Sequence, residues 1–164
     1  MKKNGFTLME LLAVIMLIAL IASFAVPAYR SIRAERQFRR ARSAAVLLLE
    51  GIRQAKQKTG RPLPSPTYFT PTTGIPYSDG CTDDAATGIP RRSNIKRNGE
   101  NYSIGELFSC GYVNSRDFEK LPYTFQYTYV GDAPSYITFT GIDGAGKYEG
   151  RSFKYENEKI TEVE

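Results

Sequence analysis

An α+β fold is expected, with one long N-terminal helix laid against an antiparallel sheet built from the C-terminal third. Two periodicities and one stop signal carry that expectation. Ala34, Phe38, Ala41, Ala45, Leu48, Ile52 and Ala55 recur at spacings of four and three, which places them on a single helical face. Tyr123, Phe125, Tyr127 and Tyr129 alternate with Thr124, Gln126, Thr128 and Val130, the period of a strand with one face in a core and the other in water. Between the two patterns, Thr59-Gly60-Arg61-Pro62 ends a helix near Lys58, because Gly accepts a left-handed cap and Pro cannot continue the helix.

The chain of 164 residues allows one ordinary domain, or a small domain with an appendage. With 41% apolar residues, 11 Tyr and 9 Phe it has the material for a core. It has no His, no Trp and only two Cys, which excludes a His-based triad, a His-rich zinc site and a cysteine-only zinc cage. No enzyme activity, cofactor or metal is expected. The formal charge of +5 is unevenly placed: residues 30–58 carry nine Lys/Arg against Glu35 and Glu50, whereas residues 59–164 carry eleven against fourteen Asp/Glu. A basic stem therefore precedes a weakly acidic body.

Residues 11–26 are uncharged, and widening the window to 6–29 adds only Glu10. As a helix, residues 6–29 would span about 36 Å, enough for a hydrocarbon core of about 30 Å. A short basic leader, Met1-Lys2-Lys3-Asn4-Gly5, precedes the segment. A cleaved secretory signal, a permanent anchor and a more specialised element all fit so far. Glu10 decides among them, since a carboxylate in a membrane helix costs up to a few kcal/mol and serves neither a signal nor a plain anchor.

The segment Lys3-Asn4-Gly5-Phe6-Thr7-Leu8-Met9-Glu10-Leu11-Leu12, continued by the apolar run to Pro27 and Tyr29, resembles the processing site of type IV prepilins and the related pseudopilins of type II secretion. The resemblance covers roughly the first 30 to 35 residues and is specific for the class, not the member. It implies cleavage after Gly5, N-methylation of Phe6 by a prepilin peptidase and methyltransferase, and a role for Glu10 in assembly. It also implies a pilin-like architecture divided into a leader at 1–5, a transmembrane and assembly half of the helix at 6–29, and a remainder at 30–164. That remainder comprises the second half of the stem helix (30–58) and a globular head (59–164). Pro27 is expected to bend the helix or to unwind it locally upstream, through its missing N–H and its clash with the preceding turn. Family members often lose helix there on assembly.

Arg30, Arg33, Arg36, Arg39, Arg40 and Arg42 lie just beyond the apolar run. A bare count of positive charges would put them inside the cell, opposite to what the processing motif implies; the motif is the more specific signal. Beside a membrane they can meet lipid phosphates, and after assembly the acidic residues of neighbouring subunits. Direct DNA binding ranks below both, because the segment would be crowded inside a filament.

Residues 61–99 carry Pro62, Pro64, Pro66, Pro71, Pro76 and Pro90 and read as a long extended connection. Cys81 lies in it and Cys110 in the following apolar patch. The export that the resemblance implies makes a Cys81–Cys110 disulfide the natural reading, with two buried thiols as the alternative. Gly131-Asp132-Ala133-Pro134 reads as a turn, followed by strands over 135–141 and 148–155 and a short fourth over 159–163. Gly141-Ile142-Asp143-Gly144-Ala145-Gly146-Lys147 has the spacing of a phosphate-binding loop. Tyr148 replaces the required Ser/Thr and strands flank it on both sides, so it reads as a glycine-rich hairpin turn. Asp143 and the trio Asp79, Asp83 and Asp84 read as solvated turns rather than calcium ligands, and Asn101-Tyr102-Ser103 as a chance glycosylation triplet.

The sequence thus points to a structural subunit of a type IV pilus or pilus-like filament, inserted singly in the inner membrane and then polymerised into an extracellular or periplasmic helical homo-oligomer by the pilus or secretion assembly machinery. A pseudopilin of a type II secretion system is the alternative within the class. A single-pass anchored binding domain that never polymerises is the alternative outside it.

Overall fold

The computed structural model describes residues 8–76, 103–129 and 135–163. Helix α1 runs over Leu8–Thr59, 52 residues. Its length of about 78 Å follows from the helical rise, so a body of ordinary width covers only part of it. The helix ends where the stop signal places it: Gly60 takes φ +71° and its N–H closes the last turn on the Lys56 carbonyl at 2.8 Å. Pro27 lies inside α1 and the helix continues through it. The locally unwound stretch expected upstream is therefore not formed in the single chain, since one missing backbone bond is outweighed by the intact turns on either side.

The sheet has five strands in sequential order, all antiparallel: β1 (Thr67–Phe69), β2 (Tyr123–Thr128), β3 (Tyr136–Gly141), β4 (Ser152–Glu156) and β5 (Lys159–Val163). Register explains why it closes on the helix. Phe69 lies opposite Phe125, Phe125 opposite Phe139, and Phe139 opposite Phe153, a phenylalanine row across four strands. Successive rings stack at centroid distances of 5.4, 6.1 and 5.5 Å. Such cross-strand aromatic pairs each add about 0.5–1.5 kcal/mol beyond the area they bury. From α1, Phe38 meets this row 5.9 Å from Phe139 and 4.7 Å from Phe153. Ala34, Ala41, Ala45, Leu48, Ile52 and Ala55 are buried as the stripe predicts, joined by Ala44 and Leu49. On the opposite sheet face the Thr124 hydroxyl pairs with that of Thr70, and the Thr140 hydroxyl with that of Ser152.

Two expectations need correction, and one unassigned patch gains a structure. The 61–99 connection is not wholly extended coil: it contributes β1, an edge strand immediately after Pro66, a place where proline is tolerated because the edge needs fewer donors. Leu63 from the same stretch is buried in the core. The patch before Cys110 is a short helix, α2 (Ile104–Ser109), begun by a capping box in which Ser103 and Glu106 satisfy each other's backbone groups. The strand expected over 148–155 begins only at Ser152, because Gly146–Tyr148 forms a single 3-10 turn that sends Tyr148 to the stem helix instead. The 131–134 turn, Asn101 and Tyr102 of the glycosylation triplet, and Asp79, Asp83 and Asp84 lie outside the described residues.

Candidate assembly face and head–stem junction

The sequence divides α1 into two environments, and the packing follows that division. Residues 8–33 are exposed along the whole helix, with Leu8, Met9 and Phe24 more than 70% exposed. From Ala34 onward the helix is taken up by the head. Among the described residues, α1 is the one helix long and apolar enough to cross a membrane. An apolar surface of this length on all sides of a helix requires lipid or other apolar helices around it. Glu10 sits in the first turn of α1 and is the single charged residue between Leu8 and Tyr29. Gly5 and Phe6, the expected processing residues, lie outside the described residues.

At the upper boundary of that stretch the head grips the stem through the loop between β3 and β4. Glu35 is the centre of the grip. Its Oε2 accepts from the Tyr148 hydroxyl at 2.7 Å and pairs with Lys147 Nζ at 3.1 Å, and its Oε1 lies 3.6 Å from Arg39 Nε one turn on. The Tyr148 ring stacks on Phe38 with centroids 4.4 Å apart. The Tyr148 hydroxyl and the Lys147 ammonium hold the Glu35 carboxyl below the usual carboxylate range, while Glu35 raises the Lys147 ammonium. Burial, then the same carboxylate, raises the Tyr148 phenol.

The sign of the pH dependence follows. A carboxyl whose folded pKa is depressed adds stability that is complete above its unfolded pKa and is lost as pH falls through the folded value. The grip should therefore loosen below the usual carboxylate range. The group is more than a third exposed, so the effect is modest. Glu35→Gln should lower the neutral plateau of the thermal midpoint slightly and flatten its acid limb, so that the variant and wild-type curves converge in acid. Parallel acid limbs for wild type and variant would show that another group sets it.

This grip was not legible in the sequence, because Glu35 and Tyr148 are 113 positions apart. Cys110 was visible. It caps α2 and is almost fully buried. Cys81, the other cysteine of the chain, lies outside the described residues. If the two pair, the crosslink closes about 30 residues and the entropic account assigns it roughly 3–4 kcal/mol. Titration of the unfolded, unreduced chain should then find no free thiol, and Cys81→Ser should lower the thermal midpoint. Two reactive thiols per chain would exclude the bond.

Residues 1–26 match the family model of the prokaryotic N-terminal methylation motif, the signature of type IV pilins and pseudopilins. Comparison with curated proteins and with solved structures finds no match. The motif supports a type IV pilin-like or pseudopilin precursor, and the long apolar helix is consistent with membrane anchoring.

Proposed function

We propose that the chain is the precursor of a filament subunit: it is inserted through residues 6–29, cleaved after Gly5, methylated at Phe6 and polymerised side by side through α1 into a type IV pilus or pilus-like fibre. The observation that carries this reading is the coincidence of the methylation motif with a helix half that the head leaves entirely exposed. A chain that remained a lone anchor would need lipid around this surface and nothing more. Glu10 would then have no use and a standing cost. The peptidase and the assembly machinery are the partners this reading requires. The protein works by association rather than by turnover.

Processing can be tested directly. Gly5 has no side chain, so a peptidase can approach the backbone closely, and a bulky branched residue there should block cleavage. Intact-mass analysis of wild type should show loss of residues 1–5 and a methylated Phe6, whereas Gly5→Val should keep the leader. A wild-type protein cut after Ala28, or never cut, would overturn the precursor reading. Filaments by electron microscopy distinguish a pilus subunit from a pseudopilin, whose loss would stop protein export with no visible fibre.

A further inference from the structure

We propose that the underside of the head and the first turns of the basic stem form a binding site for the phosphate headgroup of an anionic phospholipid. The inference rests on the membrane-inserted state of the proposed function and adds a ligand to it. It begins from distance along the helix. Tyr29, exposed at the end of the apolar stretch, is the kind of amphipathic ring that settles at the headgroup level. Ala34, the first stem residue buried by the head, follows five residues later, about 7.5 Å along the axis. The headgroup layer of one leaflet is about 5–7 Å deep. The head therefore rests on the phosphate plane, and whatever lies between Tyr29 and Glu35 lies within it.

The groups at that depth are cationic. Arg30 and Arg33 are exposed, and Arg30 stands one helical turn before Ala34, on the same face and beneath the head. At the same depth a cleft of about 400 Å³ is lined by Ser31, Ile32, Glu35, Arg36, Arg39 and Lys147, on a helix face turned away from Arg30 and Arg33. Its cations come from both the stem and the β3–β4 loop. Its one carboxylate, Glu35, is already engaged by Tyr148, Lys147 and Arg39. Arg30, Arg33 and Arg36 take part in none of the ion pairs among the described residues. Exposed Ile32 supplies the apolar wall that an acyl–glycerol junction would meet. Guanidinium forks suit phosphate oxygens through paired N–H donors. An anionic headgroup fits this combination better than a zwitterionic one, whose ammonium would meet the same cations.

The test uses the full chain reconstituted in nanodiscs of equal phosphatidylcholine and phosphatidylglycerol, followed by mild extraction and native mass spectrometry of the lipids that stay bound. Phosphatidylglycerol should be retained in several-fold excess. Each cation near an anionic surface is worth roughly a fivefold change in that preference, so the double variant Arg33→Gln/Arg36→Gln should return the retained lipid close to the bulk ratio. Arg53→Gln, farther up the stem, should leave it unchanged. Excess inorganic phosphate should not displace the lipid.

Equal retention of both lipids by wild type, or an undiminished preference in the double variant, would overturn the proposal. Loss of the preference with inorganic phosphate would also overturn it, because the site would then take a free anion. Failure of the chain to enter nanodiscs of either lipid would instead count against membrane insertion, a separate result from the lipid ratio. Circular dichroism of the variants checks that the exposed substitutions leave the helix intact.

Discussion

Gly141→Ala should lower the thermal midpoint of the full chain by roughly 10 °C, the largest effect expected of any single methyl in the head. Gly141 closes β3, and its backbone is used on both sides: its N–H donates to the Arg151 carbonyl at 3.0 Å, and its carbonyl accepts from Gly150 at 2.9 Å. The returning chain passes directly over it. A Cβ on Gly141 would lie 2.0 Å from the Tyr148 carbonyl oxygen and 2.8 Å from the carbonyl carbon. Both are backbone atoms, so no rotamer change relieves the overlap and the loop itself must move. Overpacking of this kind costs about 3 kcal/mol or more.

The displaced residue is Tyr148, so the variant should also lose the Glu35 grip. Its acid limb should resemble that of Glu35→Gln. Gly150→Ala serves as the comparison, since Gly150 has a left-handed φ of +73° but open space around its Cβ position. That substitution should cost about 1–2 kcal/mol from backbone conformation alone. Equal losses at the two glycines would show that the close approach to Tyr148 is not what constrains Gly141.

Where the fold was legible in sequence, a period was long enough to be read. The stem stripe repeats over six turns, and β2 alternates over six residues, so both survive errors at individual positions. Three-residue β1 has no period to read, and the prolines before it argue for coil. Only pairing with β2 makes it a strand. The box Ser103-x-x-Glu106 was a readable signal for α2, obscured because the helix it starts has only six residues. Tyr148 shows a different limit. Its neighbours suit a strand, but it leaves the sheet because Phe38 offers a stacking partner and Glu35 an acceptor, both from the far end of the sequence. Local propensity cannot anticipate a contact closed by tertiary packing. The assembly face was the opposite case: a processing motif and an uncharged run are local by nature, and the exposed helix half contains that run.

Glu10→Leu should leave insertion and cleavage intact and still abolish efficient homopolymer formation. The carboxylate belongs to an apolar helix, and removing it lowers the cost of entering the bilayer, so membrane-bound subunit should be at least as abundant as in wild type. Cleavage after Gly5 would give Phe6 an α-amino group that is largely protonated near neutral pH. That amine and Glu10 are four residues apart in sequence, so within one helix they could pair on the same face. An intramolecular pair would be satisfied before assembly and would give neighbouring subunits no register. If the pair forms between subunits, each amine created by cleavage meets the Glu10 of a neighbour already in the fibre, in surroundings where an unmatched charge is expensive. The same pairing would fix the axial stagger. Polymerisation would then depend on processing, as a precursor with a leader still attached presents no such amine at residue 6. Mature subunit in membranes and sheared filaments should be measured from the same cells. Abundant mature Glu10→Leu subunit with few filaments supports intermolecular pairing. Normal filament yield would show that packing of the exposed apolar face assembles the fibre unaided, with the carboxylate confined to its own helix.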